Sequence, residues 1–150
     1  MYVIAGATGR VGSTAARQLL SAGAEVRVLV RRRADADDWE AQGAGARLVS
    51  LNDRSTLTEA LTGCTGFFAL LPFDLTVDDL DEHADRLVES IAGAVADADV
   101  PHVVLLSSGG ADLVEGTGPI TGLHLMEAAL KSTGTVLSAL RSGHFQEKLT

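Results

Sequence analysis

The stretch Tyr2-Val3-Ile4-Ala5-Gly6-Ala7-Thr8-Gly9-Arg10-Val11-Gly12 decides the fold. Tyr2 to Ala5 is a short apolar run ended by glycine, as expected of a buried strand. From Arg10 the period changes. Val11, Ala15, Leu19 and Ala22 recur at helical spacing, and Gly23 supplies a stop. Between the two lies a loop in which the first glycine permits a tight turn, the second lets the backbone approach a phosphate, and the third lets the helix pack on the sheet. Strand, glycine loop and helix in this order form the place where a doubly wound sheet holds a dinucleotide pyrophosphate, with the helix N-terminus offering unpaired amides. Gly6, Thr8, Gly9, Arg10, Val11 and Gly12 are therefore the expected cofactor-binding loop, because the string opens a βαβ unit rather than standing alone.

Outward from that loop, strands and helices alternate almost without a break. Glu25 to Val30 is a second strand rich in valine, followed by a polar helical stretch around Trp39 and a third strand over Arg47 to Leu51. Asn52-Asp53-Arg54-Ser55 supplies turn and cap chemistry for a small helix near Thr56 to Leu61. Gly66 to Leu71 is nearly all apolar, which implies a strand covered on both faces, and Pro72 closes it. Thr76, with Asp79 three residues on, caps a long helix whose buried stripe is Val77, Leu80, Ala84, Leu87, Val88, Ile91 and Val95. His102 to Leu106 reads as a fifth buried strand ending in Ser107-Ser108-Gly109-Gly110. A loop with Gly116, Gly118 and Pro119 follows, then a helix over Thr121 to Ser132 and a last strand over Thr135 to Leu140. Parallel neighbours need a crossover, usually helical. The expected fold is thus α/β, a doubly wound, mostly parallel sheet of about six strands with helices on both faces, the Rossmann arrangement, spanning residues 1–150.

Composition narrows the partners. The 150 residues carry 12 Lys and Arg against 20 Asp and Glu, a formal net charge of −8, which works against nucleic acid as a ligand. Cys64 is a single thiol, and with four separated histidines it offers no metal-ligand spacing, so no metal is expected. No uncharged stretch is long enough to cross a bilayer and no basic segment precedes the first apolar run, so the reading is a cytoplasmic chain without a membrane partner.

Against this acidic background, Arg31-Arg32-Arg33 follows the second strand directly. An acid at that position binds a ribose 2′-hydroxyl, whereas arginine accommodates a 2′-phosphate. The residues here predict NADP(H) over NAD(H), with Arg31 as first choice and Arg32 or Arg33 assisting; the alternative is a solvated arginine run at a strand end.

Four strings carry a family resemblance: Val3 to Gly12, Val28-Leu29-Val30-Arg31-Arg32, Val103-Val104-Leu105-Leu106-Ser107-Ser108, and Leu140-Arg141-Ser142-Gly143-His144-Phe145. The chain resembles NmrA-like members of the atypical short-chain dehydrogenase/reductase superfamily. The last string is similar to the family's Leu-Arg-Pro-Gly-aromatic-Phe stretch, with Ser142 and His144 as departures. The resemblance implies that Leu70, Leu71 and Pro72 lie along the cofactor, and that Ser107 and the segment from Gly143 to Phe145 lie near the nicotinamide. It also puts Ser50 where the family's acid after the third strand stands, and implies a further segment past Phe145 that covers the substrate and is absent before Thr150.

Standard short-chain dehydrogenases use Tyr-x-x-x-Lys for proton transfer. Here the lone Tyr2 lies in the first strand, and the resemblance puts Leu123 and Glu127 at the two positions. NmrA-like proteins include reductases of quinones or similar acceptors and regulators without turnover, and hydride transfer to a quinone or similar small conjugated carbonyl needs mainly positioning, so it is the activity the resemblance implies. Catalytic residues are not identified by any short motif. His124, Ser107 and His144 are the candidate donors, and each has a plainer reading as a helix-surface, strand-end or packing residue. The alternative function is a non-catalytic module that senses NADP(H) and acts through a protein partner. Oligomeric state and substrate identity are not legible.

Overall fold

A computed structural model describes residues 1–72, 76–114 and 120–143. Along the chain it forms β1 (Tyr2–Ile4), α1 (Arg10–Ser21), β2 (Val26–Val30), α2 (Arg33–Ala41), β3 (Gly45–Leu48), α3 (Arg54–Leu61), β4 (Gly66–Leu70), α4 (Leu80–Asp97), β5 (His102–Ser108), α5 (Ile120–Lys131) and β6 (Val136–Ser142). The strands make one sheet in the order β3-β2-β1-β4-β5-β6. All five pairings are parallel. The chain winds outward from β1 in one direction and then from β4 in the other, so the order reverses between β1 and β4. In such sheets the crevice at that reversal is where ligands bind.

The period of two along each strand sorts side chains to two layers. Val3, Leu29, Phe67, Ala69, Val103 and Leu105 face α3, α4 and α5, where they meet Leu57, Leu61, Leu87, Ile91, Val95, Met126 and Leu130. Ile4, Val26, Val28, Val30 and Ala46 face α1 and α2, against Ala16, Ala36 and Trp39. The α4–α5 contact is close because Gly122 has no side chain. A Cβ there would stand 3.0 Å from Leu71 Cδ2 and 3.2 Å from Ala84 Cβ. Arg54 of α3 lies across Gly93 of α4 and pairs with Asp97, Nε to Oδ2 at 2.8 Å and Nη2 to Oδ1 at 2.9 Å.

Doubly wound architecture, strand number and helices on both faces agree with the sequence reading, while several details differ. The long helix starts at Leu80, with Asp79 as its cap; the Asp79 carboxylate accepts from the Glu82 amide at 3.0 Å. Val77 therefore precedes the helix, and Leu80 is exposed, so neither belongs to the buried stripe. Among the described residues, β4 and β5 are covered fully on one face only. Phe68, Leu70, Val104 and Leu106 are half-buried, and of these only Phe68 packs against the cluster under α1 and α2. β3 runs over Gly45–Leu48 rather than to Leu51, where the chain turns. β5 and β6 pair as far as Ser108 and Ser142, beyond the ends expected at Leu106 and Leu140. The loop glycines Gly116 and Gly118 lie outside the described residues, with Pro119.

Candidate functional site

The glycine loop adopts the geometry that a phosphate cradle needs. Gly6 has φ +67°, a left-handed conformation, and a Cβ there would also collide with the end of Leu70. Gly9 is the N-cap of α1 in extended conformation, donating its own amide to Gly6 O at 3.0 Å. Its Cβ position is open apart from Gly6 O at 3.4 Å. Gly12 is the buried one: a Cβ would overlap Gly6 O and come within 2.6 Å of Gly6 C and 2.9 Å of Ala5 O. That contact brings the first turn of α1 against the loop. Amides in a helix's first turn lack acceptors within the helix and favour negative charge.

A cavity of about 1210 Å³ opens over this loop at the C-terminal edge of the sheet. Its floor is Ala5, Gly6, Thr8, Gly9, Leu29 and Val30; one wall carries Arg31, Arg32 and Asp35, another Val49 to Asn52, and the far side Leu70, Pro72, His83 and Leu87. It spans the reversal in strand order and suits a long molecule with a charged middle and flat ends. Among the described residues no cluster of His, Cys, Asp or Glu could hold a metal ion.

The three arginines have different surroundings. Arg32 donates to both oxygens of Asp35, Nε to Oδ2 at 2.9 Å and Nη2 to Oδ1 at 3.1 Å. This raises its pKa above the ordinary arginine value through the Asp35 hydrogen bonds and charge. Arg33 turns outward to Asp37 at 3.0 Å and Glu40 at 3.8 Å, and does not line the cavity. Arg31 lines it with no acidic partner among the described residues.

Of the other expected cofactor contacts, Leu70 and Pro72 line the cavity. Leu71 does not: strand alternation turns it into the core below α5. Arg10, Val11 and Gly12 form the first turn of α1 and are not part of the cavity wall. Ser107 also stands elsewhere. Its hydroxyl donates to Glu127 Oε1 at 2.7 Å, and Arg141 closes on the same carboxylate, Nε to Oε1 at 3.0 Å and Nη2 to Oε2 at 2.6 Å. Arg141 holds the buried Glu127 carboxyl below the usual range; desolvation works against this and Ser107 reinforces it. Leu123, the other position matched to the Tyr-x-x-x-Lys pair, is buried in the core.

The candidate proton donors are not assembled. Ser107 spends its proton on Glu127. His124 Nδ1 lies 2.8 Å from Ala111 O, so in that contact the ring donates to the loop after β5. Neither lines the cavity. His144 and Phe145 lie outside the described residues. Conversely, Asp35, Leu51, Asn52, His83 and Leu87 line the cavity without having been expected there. In the sequence His83 is an imidazole on the long helix, where a structural or solvated role is the plain expectation; the tertiary placement of α4 brings it to the cleft.

The family model described as NAD(P)H-binding matches residues 6–147. No curated protein matches the chain significantly. Among solved structures, the chain is similar to the Citrobacter sp. triphenylmethane reductase complexed with NADP(H), at 21% identity and TM-score 0.85, covering 100% of this chain and 52% of that one. It is also similar to the Escherichia coli NADPH-dependent quinone oxidoreductase complexed with NADPH, at 26% identity and TM-score 0.84, covering 98% and 50%. A third likeness, to a Staphylococcus aureus nucleoside-diphosphate-sugar epimerase, has 17% identity and TM-score 0.82, with 99% and 52% covered. The chain thus spans about half the length of each of these structures. With a glycine loop, a cleft at the strand reversal and a family match over nearly the whole chain, this protein belongs to the NAD(P)H-binding family.

Proposed function

We propose that the chain is the cofactor-binding part of an NmrA-like, NADP(H)-preferring reductase that passes hydride to a quinone or similar small conjugated carbonyl. The observation that carries the cofactor half is Arg31 beside the glycine loop, which has no acidic partner among the described residues and is available to a 2′-phosphate where Arg32 and Arg33 already have acids. When bound, the nicotinamide supplies the hydride. The chain's own residues bind and orient. The loop and the N-terminus of α1 take the pyrophosphate, the Val49-to-Asn52 wall faces one end of the cavity, and Leu70 and Pro72 exclude water beside the other. Quinones suit a site from which Ser107 and His124 stand apart, because their reduced forms take protons from water. The likeness to a quinone oxidoreductase at 26% identity supports the acceptor class. The test is NADPH oxidation with a panel of quinones, measured on a polypeptide that carries this chain together with a substrate-covering part. Turnover with at least one is expected, and binding without turnover on any acceptor overturns it.

A second reading, a non-catalytic NADP(H) sensor acting through a protein partner, is favoured by one observation: Ser107 and His124 are both committed to partners away from the cleft. The same assay separates the two.

A further inference from the structure

Among the described residues, the far side of the cleft carries one ionisable side chain, His83. It stands in the first turn of α4, about one turn before Leu87, and both line the cleft from the same face of the helix. Leu87 is buried and His83 half-buried, so the leucine anchors α4 in the core while the imidazole sits at the rim. Leu70 lines the same side, and its end is what a Cβ on Gly6 would strike. The wall that holds His83 thus abuts the glycine loop.

Of the ionisable side chains on the cleft wall, Arg32 and Asp35 cancel in their own pair, which leaves Arg31 on one side and His83 on the other. The acids around His83 do not line the cleft: Asp79 accepts from the Glu82 amide, Glu82 pairs with Arg86 at 2.7 Å, and Asp78, Asp81 and Asp85 are exposed. Of the helices packed on α4, α3 carries Arg54, paired with Asp97, and exposed Glu59; α5 carries Glu127, paired with Arg141, and exposed Lys131. None of these four reaches the cleft either. An imidazole changes charge between about pH 5 and 8, and as a cation it offers only donors, which suits phosphate oxygens. We propose that His83 is a cofactor-binding residue that acts through its charge: protonated, it meets the dinucleotide phosphates from the side opposite Arg31. The anion favours the protonated form, so this contribution is present at low pH and lost as the pH rises.

The proposal rests on the dinucleotide-binding reading of the cleft, and the experiment keeps the two apart. Dissociation constants for NADP⁺, which survives mild acid, are measured at about pH 6 and about pH 8.5 on the full chain and on His83→Gln, with far-UV circular dichroism to verify the fold. A 2′-phosphate itself titrates near pH 6, so the readout is the ratio of the two constants at each pH, in which that effect cancels. The parent is expected to bind about fivefold to tenfold more tightly than His83→Gln at the lower pH and equally at the higher. A ratio that does not change with pH overturns the proposal, as does tighter binding by the variant at the lower pH. By linkage, the ¹H NMR titration midpoint of the His83 ring should rise by about 0.7 to 1 pH unit when NADP⁺ is bound, and a midpoint that stays put overturns the proposal on the parent chain alone, should His83→Gln fail to fold. Absence of NADP⁺ binding by the parent at either pH overturns the dinucleotide reading itself, and this proposal with it.

Discussion

Gly6 and Gly12 are both intolerant of a side chain, for different reasons. At Gly6 the backbone is left-handed, and an added Cβ meets the far end of Leu70, which can move. At Gly12 the backbone is ordinary helix, and the added Cβ meets the carbonyls of Gly6 and Ala5, which cannot move without opening the loop. Overpacking of this kind costs about 1–3 kcal/mol, and here the strain falls on the phosphate cradle. Gly12→Ala is therefore expected to lower stability by about that amount and to weaken cofactor binding by more than tenfold, as read by denaturant midpoint and by titration with NADPH. Full-affinity binding by a folded Gly12→Ala chain would show that α1 does not need this close approach. The loop was legible in the sequence because its chemistry is local: three glycines, a strand before and a helix after. In the sequence Asp35 is simply the first acid after the arginines. Its grip on Arg32 depends on the helical turn that places it three residues on.

Elements were legible by period, and their ends were not. The long helix illustrates the reason: Thr76-x-x-Asp79 and Asp79-x-x-Glu82 are overlapping capping patterns, and the later one forms, with a side-chain acceptor on the Glu82 amide. Choosing between them requires knowing where the core ends, which is a tertiary fact. The same holds for β5 and β6, whose pairing is prolonged to Ser108 and Ser142 past the expected turn. A buried polar connection joins their ends to α5: Glu127 receives Ser107 from β5 and Arg141 from β6. Its strength is pH-dependent in a direction that follows from the depressed Glu127 pKa. A carboxyl lowered on folding stabilises fully above its unfolded pKa of about 4.3, and that contribution is lost as pH falls through the folded value. Glu127→Gln should cost about 1–3 kcal/mol near neutral pH, since Ser107 and Arg141 each lose a charged acceptor while Arg141 can still reach water. The gap in urea midpoint between parent and variant should close as the pH is lowered from about 5 toward 3. A gap that stays constant over that range would mean the ion pair contributes nothing beyond packing.

At the scale of the whole molecule, the two faces of the sheet are unequal. One is covered from β2 to β5 by α3, α4 and α5, whereas α1 and α2 cover only the β1 side of the other. On the edge strand Val136 is 66% exposed and Leu140 52%. The cleft lies where the two regimes meet, and its walls come from both halves: the glycine loop, β2 end and β3 end on one side, Leu70, Pro72 and the first turns of α4 on the other. A ligand that spans it ties together parts that otherwise connect through the β1–β4 pairing and the layer of α3 and α4. Binding to the folded state alone adds RT ln(1 + [L]/Kd), about 2.7 kcal/mol at a hundredfold excess over Kd. For a domain of this size each kcal/mol moves the melting temperature by about 2–4 °C. NADPH at that excess is therefore expected to raise Tm by roughly 5–11 °C. Because the linkage counts only binding, Gly12→Ala should show a much smaller rise at the same NADPH concentration, even after its own lower starting Tm is allowed for. An equal rise in parent and variant would place the stabilising contacts away from the glycine loop, and with them the cofactor.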